Sequence, residues 1–157
     1  MSNEINTFQL HKIKFENIEE IENRHKGVER ISNVQTSQGY FPELNIYKFA
    51  QPIFYNRKKD SLLTEISYYY TEKDSVVRVI SYEWDHVKNN DSLYAIFDKN
   101  KELFSKFFGN YGSATRRDEP TYWQNELRWE NEKLCVFQFI LGDKKGAYRT
   151  RTILKWK

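Results

Sequence analysis

Apolar residues recur along this chain with two periods, one near helical spacing and one of two residues, and the switches between them mark out its elements. Ile18, Ile21, His25 and Val28 follow the helical period. Asn17 offers a cap with Glu20 three residues later, and Gly27 can close the end, so a helix is predicted at about 16–26. Glu16, Glu19, Glu20 and Glu22 are read as its solvated face. A second helix is predicted at about 92–108: Asp91 can cap it, Leu93, Ile96, Phe97, Phe104, Phe107 and Phe108 form a wide apolar stripe, and Gly109 follows.

The period of two dominates elsewhere. Residues 62–71 and 76–84 are rich in β-branched and aromatic side chains and are joined by the polar Glu72-Lys73-Asp74, the pattern of a hairpin. Leu62, Thr64, Ile66, Tyr68, Tyr70, Val76, Arg78, Ile80, Tyr82 and Trp84 fall on one face and are the core candidates. Glu65, Ser67, Tyr69, Glu83 and Asp85 fall on the other. Three further strands are predicted at 122–129, 133–141 and 147–156, with turns at Asn131 and at Gly142 and Gly146. Short strands at 30–36 and 44–50 complete the list, residues 116–120 read as a polar loop, and residues 1–14 as a loosely ordered lead-in.

No gap between strands is long enough for parallel crossovers, which need a dozen residues or more. The expectation is a single α+β domain over residues 1–157: a mostly antiparallel sheet of five to seven strands, with two main helices packed on one face. The order also divides into two helix-plus-meander halves, although their spacing is unequal and they share little residue identity.

Composition adds one feature. The hydrophobic share is 39%, yet aromatics reach 17%, with 11 Phe, 11 Tyr and 4 Trp, so aromatic rings stand in for aliphatic bulk. The 25 Lys and Arg nearly balance the 22 Asp and Glu, leaving +3, so no global field selects nucleic acid or a membrane. The first 22 residues hold no apolar run of signal-peptide length, no stretch reads as a membrane span, and the lone Cys135 has no disulfide partner within the chain. A cytoplasmic location is expected.

Chemistry-bearing patterns are sparse. His11, His25 and His86 sit in separate segments without metal-ligand spacing, and no cofactor or metal is expected. Cys135 alternates with Phe137, Phe139 and Leu141 and reads as core. Gly109 to Gly112 follows a helix C-terminus, where the dipole repels phosphate, so it reads as a cap and turn. Glu83 and Asp85 share a strand face at about 6.5–7 Å, a spacing at which two carboxylates can divide acid and base roles. Arg149, Arg151 and Lys155 share a face of the last strand, a basic stripe of the kind that binds single-stranded nucleic acid.

Tyr, Trp and Arg dominate interface hot spots, and the chain carries more of them than a small core needs. The sequence therefore reads first as a non-catalytic protein-binding or inhibitor module. Small bacterial immunity proteins that neutralise a toxin by covering its active site share this architecture. Candidate partner-binding residues are Tyr69, Glu83, Asp85, Trp123, Arg149, Arg151 and Trp156. The alternatives are a small-ligand domain or enzyme centred on Glu83 and Asp85, and a nucleic-acid binder using the basic last strand.

Overall fold

The computed structural model describes residues 13–31, 45–85 and 90–157. Within them lie α1 (Phe15–Arg24), β1 (Val28–Arg30), β2 (Ile53–Lys59), β3 (Leu62–Tyr70), β4 (Val77–Trp84), α2 (Asn90–Phe108), β5 (Ser113–Asp118), β6 (Trp123–Glu130), β7 (Leu134–Asp143) and β8 (Gly146–Trp156). The eight strands form one antiparallel sheet in the order β1-β2-β3-β4-β8-β7-β6-β5. The α+β class is as predicted, and the strand count exceeds the expected five to seven. Each half is a helix followed by a four-stranded meander, and among the described strands the halves pair where β4 meets β8.

Two strands escape the sequence pattern. β2 reads Ile-Phe-Tyr-Asn-Arg-Lys-Lys, and its inward position after Tyr55 is Arg57, so the apolar alternation breaks in the middle of the strand. β5 occupies the segment read as a polar loop. All six of its residues are exposed, so there is no burial for an alternating pattern to record. Of the strands expected at 30–36 and 44–50, residues 32–44 lie outside the described set; residues 45–50 contribute an isolated bridge between Phe49 and Thr71. Most of the lead-in, residues 1–12, is also outside it, whereas Ile13 is buried and accepts a hydrogen bond from the Val77 amide at 2.8 Å.

Both helices lie on one face of the sheet. Ile18 and Ile21 of α1 and Leu93, Phe97 and Phe104 of α2 share a buried cluster with Ile66, Ile80, Tyr82, Trp84, Trp129, Leu154 and Trp156. The largest fully buried side chains are Trp84, Trp129, Tyr68 and Tyr82, which is where much of the aromatic share resides. Each such burial contributes roughly 1.5–3 kcal/mol before entropic costs. Two polar tips are met inside: Trp84 Nε1 donates to Thr64 Oγ1 at 2.7 Å, and Gln138 Nε2 donates to the Phe97 carbonyl of α2 at 2.7 Å, whereas Trp129 Nε1 has no hydrogen-bond partner among the described residues.

A bulge corrects the expected face of the hairpin. Tyr69 pairs with Val79 but Tyr70 with Val77, so the register shifts by one residue at Arg78. Val77 therefore joins the helix-side core, while Val79 lies in a second cluster on the opposite face with Tyr69, Cys135, Phe139 and Ile153. Arg78 stands over the ring of Tyr47, which packs against that cluster, at 4.7 Å. The sheet is thus buried on both faces across its centre, and burial raises the Cys135 thiol above its ordinary range.

The solvated face proposed for α1 also needs correction at one position. Glu22 is only 1% exposed and takes a two-point hydrogen bond from Arg57, from Nε at 2.9 Å and from Nη2 at 2.6 Å, with the Tyr68 hydroxyl donating to the same carboxylate. The guanidinium also lies over the Tyr82 ring at 5.8 Å. A buried carboxylate is tolerated when its charge and lone pairs are met, and the unpredicted β2 supplies the cation. Burial, with Tyr82 and Glu22, pushes the Tyr68 phenol far above its ordinary range, so it stays a donor. Gly27 closes the arrangement, since a Cβ there would lie 2.1 Å from Glu22 Oε2.

Removing one partner leaves an unmatched buried charge. Glu22→Leu or Arg57→Met alone is expected to cost about 3–5 kcal/mol in urea unfolding, and the Glu22→Leu, Arg57→Met double variant much less than the sum. A double variant as unstable as the sum of the singles would refute the pairing.

Candidate functional site

The antiparallel register brings the charged candidates of β4 and β8 side by side. Glu83 pairs directly with Arg151 across the β4–β8 junction, and with Glu65 across β3–β4. Arg151 donates to Glu83 through Nε at 2.6 Å and again through Nη2. Arg149 lies between the two carboxylates, Nε 3.3 Å from Glu83 Oε1 and Nη2 3.5 Å from Asp85 Oδ2. At the other end Arg30 of β1 reaches Glu65 at 3.3 Å. Three carboxylates and three guanidiniums therefore share one patch on the face opposite the helices. The like charges of Glu65 and Glu83, unfavourable when directly opposed, are offset from both sides.

Glu65, Glu83 and Asp85 each place a carboxylate oxygen within 4.8 Å of the others, which makes them the described residues able to present oxygen ligands to a hard cation. Arg149 and Arg151 already hold both oxygens of Glu83, and Arg149 lies 3.5 Å from one oxygen of Asp85, Oδ2. A general base needs an oxygen available to a substrate proton, and here the carboxylates are turned into the sheet's own ion pairs. The basic stripe changes meaning for the same reason: Arg149 and Arg151 are matched, and Lys155 is only 4% exposed. Burial lowers the Lys155 pKa.

The remaining candidates separate. Tyr69 and Trp156 are buried, Tyr69 in the second cluster and Trp156 in the helix-side core. Burial pushes the Tyr69 phenol up, opposed by Ser67 and by Arg151. Trp123 is half-buried on the helix side of β6, some distance from the ionic patch in sheet order. Its Nε1 donates to the Asp143 carbonyl at 3.0 Å, it stacks on Tyr94 at 6.1 Å and 15°, and Arg116 lies over its ring at 5.5 Å.

Trp123 thus belongs to a different surface, the ledge between α2 and β5. α2 packs over β8, β7 and β6, leaving the helix-side face of β5 uncovered. Tyr94 and Trp123 stand at one end of the ledge. Tyr111, edge-on to Trp129 at 6.1 Å with Lys101 over its ring at 5.6 Å, stands at the other. Tyr94 is 40% exposed and Tyr111 39%. Arg116 crosses the floor, held by Asp118 in a two-point pair at 2.9 and 2.8 Å and by Asn125 at 3.0 Å; this lifts the Arg116 pKa and lowers that of Asp118. Sequence reasoning missed Tyr94, Tyr111 and Arg116. The signals available were two Tyr flanking the apolar stripe of α2 and the Arg-Arg-Asp-Glu run at 116–119.

Comparison with protein-family models, with curated proteins and with solved structures finds no match for this chain. No helix among the described residues is long and apolar enough to cross a membrane.

The Glu83–Arg151 pair is half-buried and hydrogen-bonded through two nitrogens. Glu83→Gln and Arg151→Gln are each expected to cost about 1.5–3 kcal/mol, with a coupling of at least about 0.5 kcal/mol in a double-mutant cycle read by denaturant unfolding. Strict additivity would show that the two side chains do not act together.

Proposed function

We propose that this protein is a non-catalytic protein-binding module of the inhibitor type, in which the ledge between α2 and β5 receives a partner protein. The observation that carries the reading is the set of rings left at the surface there. Tyr94 and Trp123 stacked with Arg116, and Tyr111 with Lys101, are the residue types that concentrate binding energy at interfaces, because they offer large contact area for little lost rotamer freedom. They are also pre-ordered by one another, which lowers the entropic cost of docking.

The immunity reading extends this to a partner whose own active site is covered, in a bacterial cytoplasm. Its support is architectural, a small α+β domain whose Glu65, Glu83 and Asp85 patch is paired with its own arginines. Fold alone does not carry function, so the test must be on the surface itself.

The double variant Tyr94→Ser, Tyr111→Ser changes exposed side chains and should retain its circular dichroism and melting behaviour. Affinity capture with the full chain should yield one stoichiometric protein partner for the wild type and at least a roughly tenfold weaker complex for the variant. Failure of the wild type to retain any stoichiometric protein, or unchanged affinity in the variant, would overturn the proposal.

A further inference from the structure

β5 is the long open edge of the sheet. Glu119 donates its main-chain N–H to the Tyr122 carbonyl at 2.8 Å, and the ladder runs from Asp118 opposite Trp123 to Ser113 opposite Arg128. Hydrogen-bonded and non-hydrogen-bonded pairs alternate in an antiparallel ladder. Arg117, Thr115 and Ser113 therefore direct their main-chain groups to β6, while Ala114, Arg116 and Asp118 direct theirs outward. No described strand meets them on that side. The ladder carries no register shift, no proline interrupts it, and all six residues are exposed. Of the devices that usually blunt such an edge, β5 has no bulge, proline or lysine, and only its charged side chains guard it.

What it has is a patterned charge. Arg116, Arg117, Asp118 and Glu119 read plus, plus, minus, minus. A second copy running antiparallel presents the same block reversed. The outward main-chain groups restrict the register, because only Ala114, Arg116 and Asp118 can bond across the edge. One such register sets Arg116 opposite Asp118 of the second copy, and by symmetry the reverse. Arg117 then directly opposes its counterpart at the two-fold axis, an unfavourable like-charge pair offset by Glu119 of each copy on the diagonal. Each arginine thereby has a carboxylate of the second copy as direct or diagonal neighbour, the distances over which cross-strand pairs interact. Arg116 and Asp118 are already oriented on the same side of the strand by their mutual pair.

We propose that the protein forms a two-fold homodimer through antiparallel pairing of β5 with β5 of a second copy, joining two eight-stranded sheets into one. An isologous contact of this kind is self-complementary and closes. About four main-chain hydrogen bonds and the crossed ion pairs make a contact smaller than a standard interface, so the dimer is weak, concentration-dependent and loosened by salt. The two ledges come to lie on the same side of the joined sheet, flanking the axis. The dimer does not rest on the partner-binding reading.

Sedimentation of the full chain at low ionic strength should show the mass rising from 19.1 kDa toward twice that value between micromolar and millimolar concentration, and falling back with added salt. Arg116→Glu with Arg117→Glu makes the block wholly negative, and Asp118→Lys with Glu119→Lys makes it wholly positive. Each variant should sediment as a monomer where the wild type is dimeric, and an equimolar mixture should recover the dimer, which also demonstrates that both are folded. A wild type monomeric throughout the range, block variants that still dimerise alone, or a mixture that stays monomeric would overturn the proposal. Partner capture by the wild type, measured separately, distinguishes that failure from failure of the ledge as a binding surface.

Discussion

The register of β4 against β8 is the constraint on which the rest of this fold depends. It is the one place where the two helix-plus-meander halves meet within the sheet, and it runs over six pairs, from Val79 with Lys155 to Trp84 with Thr150. A slip of one residue would turn every side chain of one half to the wrong face. Either Tyr82 and Trp84 would then leave the helix-side core and Val79 the opposite cluster, or Leu154 and Trp156 the one and Ile153 the other. Because both faces are apolar at the centre of the sheet, hydrophobic burial alone discriminates poorly between neighbouring registers. The Glu83–Arg151 pair, with Arg149 beside it, supplies the discrimination, since a slip would separate opposite charges in a half-buried setting.

Charge in this molecule is largely spent on positioning. Glu22 and Arg57 fix α1 to β2 and β3 through the helix-side core, and the Glu65, Glu83 and Asp85 patch, with Arg30, Arg149 and Arg151, ties together four strands, β1, β3, β4 and β8. The small net charge follows from this matching rather than from scarcity of charged residues. What is left to act outward is the set of rings Tyr94, Trp123 and Tyr111 between α2 and β5 and the patterned edge of β5, and these are the features on which the functional reading stands.

Much of the fold was legible because it is local. The β3–β4 hairpin, α2 and the β6–β7–β8 meander all announce themselves through apolar periodicity and turn residues, and their boundaries agree closely with the structure. β2 was hidden because a buried arginine occupies a core position, which a pattern of apolar residues counts as an interruption. β5 was hidden for the opposite reason, having nothing buried at all. Glu22 looked solvated for want of knowing that Arg57 would face it. At the candidate site, Glu83, Asp85, Arg149 and Arg151 were correctly grouped on two strand faces, but the partnership between them depends on the β4–β8 pairing, a contact between halves that no local pattern encodes. The ledge was illegible for the same reason: Tyr94 and Trp123 belong to elements well separated in sequence and meet only in the assembled core.

The strand order has a kinetic consequence. Six of the seven pairings join strands consecutive in the chain, and only β4 with β8 spans the halves. Loop-closure entropy for the consecutive pairings is modest, so each meander can gather on its own helix early, while the junction must wait for two preformed surfaces to find one another. The transition state then contains structure within the halves more than between them. An Ala in place of Ile80, deep in the junction, would chiefly hasten unfolding, whereas weakening a hairpin turn would slow folding. The molecule's lifetime in the folded state is thus governed by how firmly its middle two strands hold.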